Sequence, residues 1–242
     1  MESSAADLTR KVLRHERLVV AGGIALLVAL AWWYLANGAG MGAMAMQPPL
    51  SALVLMWWLM MVAMMLPSAA PTILLYARVR EQQGADGAVV QPWVFALGYL
   101  AVWLLFSIAV AAMQRRFAAP SMALDNRLGE GAVLIAAGLY QLSPLKGACL
   151  RQCRSPTEFL TRHWRPGVAG AVRLGILHGG YCLGCCWVLM ALLFVGGVMN
   201  FAWIAGLTLL VGVEKLAPRG DLIGRAVGVA LLIWSAATLV SA

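Results

Sequence analysis

Apolar stretches that approach the length of a bilayer crossing recur along this chain. They cover 18–36, 50–78, 92–113, 129–143, 175–197, 200–216 and 221–240. A crossing helix needs about 20 predominantly apolar residues, whereas a crossing strand needs about 10. In lipid every backbone amide and carbonyl must be paired internally, which leaves helices or a closed barrel. Runs this long select helices. The fold expected is therefore all-α, a polytopic membrane helix bundle of about seven transmembrane helices. Composition agrees, with 62% hydrophobic residues and a mean hydropathy of +0.82. The first run is long for a signal-peptide core and lacks a small-x-small cleavage site before Asn37, so it reads as a retained helix. Two regions result: a basic N-terminal segment, 1–17, and a single transmembrane domain, 18–242, with a Cys-containing loop at 144–174.

Charge orients such a bundle. With the N-terminus cytoplasmic, all of the 18 basic residues except Arg115, Arg116 and Arg127 fall on the inner side. That asymmetry matches the excess of Lys and Arg in cytoplasmic loops, so the N-terminus is expected inside and the C-terminus outside. It also accounts for the net charge of +8 without invoking nucleic acid. The partner implied is the lipid bilayer.

The chemistry is concentrated in His178-Gly-Gly-Tyr-Cys182-Leu-Gly-Cys185-Cys186. On a helix these offsets bring His178, Cys182, Cys185 and Cys186 into an arc of about 100°. One imidazole and three thiols aimed together suit soft or borderline metals, Cu(I) first and Zn(II) second. Isolated buried cysteines serve as small hydrophobes, but three in five positions beside a histidine favour ligation. Cys149 and Cys153 lie at i and i+4 and share a helix face. The segment up to His178 is long enough to fold back, so both thiol groups can converge on the cytoplasmic side. Five cysteines preclude a complete set of intrachain disulfides, and a reducing compartment keeps thiols free for metal.

Methionine is the third element. Met56, Met60 and Met64 repeat at i, i+4 and i+8, with Met61 and Met65 as a neighbouring pair. Met41, Met44 and Met46 lie in the loop expected outside. Thioether is a soft, uncharged ligand for Cu(I), so an outer Met loop, a Met stripe and an inner thiol cluster outline a graded path. Methionine is also an ordinary core filler, and the stripe reads equally as packing. Pro67 and Pro71 are expected to kink or break this helix. Ser155-Pro156-Thr157-Glu158 has the form of a capping box and predicts a short helix over 156–164.

The stretch Met-Trp-Trp-Leu-Met-Met-Val-Ala-Met-Met-Leu-Pro (56–67) with Pro71, the stretch Tyr140 to Lys146 followed by Cys149 and Cys153, and His178 to Trp187 together resemble a bacterial family of predicted metal-binding integral membrane proteins. The resemblance runs from the second helix to the sixth. It implies a multi-pass protein of the bacterial inner membrane and a metal site.

Absences narrow the mechanism. No G-x-x-x-x-G-K-[ST] phosphate loop occurs, and neither a Ser/His/Asp set nor paired carboxylates point to hydrolysis. No catalytic residue is assigned. Glu214 and Lys215 stand at the end of the sixth helix, and no acid is expected deep in a span. The function expected is Cu(I) binding with movement or delivery across or within the membrane, in exchange with a metallochaperone or another membrane subunit. A thiol–disulfide carrier built on Cys182-x-x-Cys185 and a membrane assembly subunit with a structural metal are the alternatives.

Overall fold

The computed structural model describes residues 2–37, 48–83, 90–117, 124 and 126–240, with side chains from Arg17 onward, Phe117 excepted. The outer Met loop with Met41, Met44 and Met46 lies outside the described residues. Every regular element among the described residues is helical: α1 (Glu2–Ala36), α2 (Leu50–Gln82), α3 (Val90–Phe117), α4 (Arg127–Leu142), α5 (Pro144–Arg154), α6 (Pro156–His163), α7 (Gly167–Ala191), α8 (Leu193–Gly196), α9 (Phe201–Leu216) and α10 (Gly220–Val240).

Five stretches are long and apolar enough to cross a membrane: Arg17–Ala36, α2, Val90–Arg116, Gly167–Gly196 and α10. The bent pair α4 and α5, at 63°, makes a sixth if taken as one span. The remaining expected crossing is α9, whose 16 residues span about 24 Å against a hydrocarbon core of about 30 Å.

α2 and α7 are the most buried of the long helices. α3 packs along α7, and α1 and α3 pack along α2. α10 packs along α4, and α9 bridges α2 and α10. The α3–α7 approach depends on Gly175 and Gly179 of α7 and on Gly98 of α3. A Cβ on Gly175 would run into the carbonyl oxygen of Phe95 on α3. Small residues at i and i+4 let helices draw this close.

α2 runs through Pro67 and Pro71 as one helix and continues to Gln82. Their missing amides leave the carbonyls of Ala63 and Pro67 without helical donors. Between them, the Met65 carbonyl accepts from Ser68 Oγ at 2.8 Å and lies 3.1 Å from Tyr99 Oη, whose single proton serves either that carbonyl or the Cys182 sulfur. The segment 144–174 is not a loop carrying one short helix; it is α5, α6 and the first turns of α7. Ser143 starts α5 by accepting from the Lys146 amide, with Pro144 in the first turn. The capping box at Ser155 does not form, since that side chain makes no cap bond, although α6 begins at Pro156 as expected. Proline fixes the backbone there without help from the serine.

Candidate metal centre

α7 carries the thiols because nothing interrupts it between Gly167 and Ala191. One face runs through His178, Cys182, Cys185 and Cys186, all 1–2% exposed, as the helical spacing predicts. α2 enters from one side: Met65 Sδ lies 3.8 Å from Cys186 Sγ. α5 enters from another. The Cys153 side chain lies against those of Cys182 and Cys185. Cys149 Sγ lies against Gly184, 2.8 Å from where a Cβ would stand. Gly184 thus leaves room for α5, and Tyr140 Oη fixes the spot by donating to the Gly184 carbonyl.

The two thiol groups therefore converge, as the sequence suggests. All five cysteines are free. Cys185 and Cys186 turn their Sγ atoms back onto the Cys182 carbonyl, at 3.1 and 2.9 Å. In these rotamers no three His, Cys, Asp or Glu side chains among the described residues are grouped to hold an ion.

Cys182 is the centre of the polar contacts. Lys215 Nζ on α9 lies 2.9 Å from its sulfur and also donates to Ser68 Oγ at 3.1 Å. Tyr99 Oη on α3 lies 3.0 Å from the same sulfur. Lys215 is 5% exposed, and no carboxylate pairs with it among the described residues. A buried ammonium without a carboxylate is costly unless another anion faces it. The group that faces Lys215 is the Cys182 sulfur, and a thiolate, unlike a thiol, is both an anion and a metal ligand.

His178 sits one turn before Cys182, enclosed by the rings of Phe95, Tyr99 and Phe159. Its Nδ1 is buried without a hydrogen-bond partner. A buried imidazole nitrogen with nothing to bond is what a ligand position at the edge of the thiols would present.

The methionines divide. Met56, Met60 and Met64 are all buried in the core, together with Met61 and Met65. The sulfur contact with the thiols is made by Met65, one residue outside the i, i+4, i+8 stripe. Tyr99 and Ser68 carry no sequence signal for the site, and Lys215 reads in the sequence only as the end of the sixth helix. The one available signal was a Glu-Lys pair, Glu214-Lys215, closing an otherwise apolar segment. Both are buried, at 2% and 5% exposed, and a buried ionisable group is costly unless it is paired. Glu214 is spoken for by Lys146 at 2.6 Å and Gln141 at 2.7 Å.

Compared with known proteins, residues 54–238 match the family model PpoB2, described as a copper chaperone. The matched region contains every cysteine, His178 and the methionines of α2 from Met56 on. No curated protein and no solved structure matches the chain.

Proposed function

The chain belongs to the PpoB2 copper chaperone family, and from that premise we propose that it is an integral membrane protein that binds Cu(I) on the thiols of α7 and α5 and hands it on across or within the membrane. The observation that carries the reading is the meeting of three α7 thiols, two α5 thiols and the Met65 thioether beside the buried Lys215. Cu(I) is the cargo. Soft thiolate and thioether ligands select it, and it needs few of them. Zinc remains second: the Cys/His set suits it, but a thioether among the ligands does not.

Transfer follows from ligand exchange, with no redox step. Cys182, held as thiolate by Lys215, takes the ion first. Cys153, Cys185 or Cys186 then adds a second sulfur as its thiol rotates in. Lys215 keeps the Ser68 hydroxyl as a partner while the Cys182 sulfur is occupied. Met56, Met60 and Met64 extend soft ligands along α2 away from the thiols. The basic-residue asymmetry supports an inside N-terminus, an inner-membrane location and a cytoplasmic-side thiol site. A metallochaperone or a second membrane subunit is the exchange partner.

The test is metal and thiol analysis of protein purified without oxygen. Sulfur-ligated Cu(I), lost in Cys182→Ser and weakened in Met65→Leu, is expected. Met65→Leu should cost less than about 1.5 kcal/mol of stability, because the volumes match. If Met56→Leu with Met60→Leu handles copper normally, the path along α2 is wrong and the thiol site alone remains. Preference for zinc overturns the copper assignment. Metal-free protein in which two thiols interconvert with a disulfide supports the carrier reading, which the Cys153–Cys182–Cys185 contacts would serve.

A further inference from the structure

Away from the thiols, where α4 breaks into α5 and meets the start of α10, a cavity of about 670 Å³ opens. Lys146, Arg151, Arg154 and Arg225 line it, with Asp221 as the one acid in its wall. Its carboxylates are already committed. Asp221 pairs with Arg154 at 3.1 Å, and Glu214 behind the wall pairs with Lys146. Arg154 is also held by the carbonyls of Ala217 and Pro218. Arg151 and Arg225 are left without a hydrogen bond or ion pair among the described residues. The cavity therefore carries two uncompensated guanidinium groups around a floor made by the buried Lys146.

Guanidinium groups recognise phosphate by paired, charge-assisted hydrogen bonds. The rim identifies the source of the phosphate. Leu142 lines the basic cavity and is 43% exposed, and Leu145 and Leu222, the sequence neighbours of the lining residues Pro144 and Asp221, are 61% and 58% exposed. A free anion has no use for an apolar rim, whereas a phospholipid presents an acyl chain beside its phosphate. The cavity also lies at the end of α4 and the start of α10, which on the seven-crossing reading is where headgroups meet the helices. We propose that this cavity binds a phosphate group, and that its occupant is the headgroup of an anionic phospholipid. The site rests on the membrane reading above but not on copper.

The experiment uses the full chain, purified without metal and exchanged into vesicles or nanodiscs of defined lipid, with bound lipid counted by native mass spectrometry. Phosphatidylglycerol should be retained over phosphatidylcholine. The double variant Arg151→Gln with Arg225→Gln should lower that retention by roughly an order of magnitude or more. Arg115→Gln with Arg116→Gln, exposed at the far end of α3, should leave it unchanged. Millimolar inorganic phosphate should not displace the lipid. If phosphate does displace it and protects the protein alone, the lipid assignment is overturned and the phosphate site stands. Equal retention of both lipids, or equal loss in both double variants, overturns the site. Both arginines are solvent-exposed and unpartnered, so loss of fold is not expected; thermal unfolding in phosphatidylcholine checks this. Failure of copper binding leaves all these outcomes unaffected.

Discussion

At the scale of single residues, Cys182 and Lys215 are the pair on which the site depends. The buried Lys146–Glu214 pair closes its own charge, but Lys215 faces a sulfur, a hydroxyl and no carboxylate among the described residues. Replacing Lys215 with Met removes a charge-assisted hydrogen bond of roughly 1.5–3 kcal/mol from the thiolate. Cu(I) affinity, read by competition with a chromophoric chelator, should fall about ten- to a hundredfold. Stability should fall by less than the roughly 3–5 kcal/mol of a broken buried pair, because Cys182 can take up a proton once the ammonium is gone. Unchanged copper affinity would sink the view that Lys215 maintains the thiolate. The thiols themselves were legible: helical spacing alone aligned His178, Cys182, Cys185 and Cys186. Lys215 was not, because a charge at the end of an apolar run reads locally as a solvated terminus.

At the scale of elements, the site depends on α3 lying close to α7. Tyr99, which reaches Cys182, stands one turn beyond Phe95, whose carbonyl abuts Gly175. Gly175→Ala therefore has to push α3 outward. It should destabilise the protein by about 1–3 kcal/mol, the range for overpacking, and loosen the Tyr99–Cys182 contact with it. Gly180 has open space where its Cβ would be, so Gly180→Ala should be neutral or stabilising. Thermal unfolding of the two variants in the same detergent decides this, and equal midpoints would contradict the packing argument. Most helix bounds were readable from apolar runs to within a few residues. The exceptions are instructive. α5 and α6 are helical in a stretch that has no long apolar run because α5 packs on α7 and α6 packs on α2. Neither support is visible in the local sequence.

For the whole molecule, the basic-residue asymmetry sets the expected topology. An odd number of crossings puts the two ends on opposite sides, and reporter fusions at the N- and C-termini should register that. Ends on the same side would mean an even number, with the 16-residue α9 or the bent α4–α5 pair failing to cross. What the sequence by itself determined was the all-helical class, the apolar segments and the common face of His178 and the α7 thiols. These follow from side-chain period and transfer energy, which act within a few residues. Only the tertiary structure decided which sulfurs meet. Cys182 finds Tyr99 across 83 positions and Lys215 across 33, and Cys186 finds Met65 across 121. Such contacts arise when helices choose partners through small residues and buried charge, and no spacing along one helix encodes that choice.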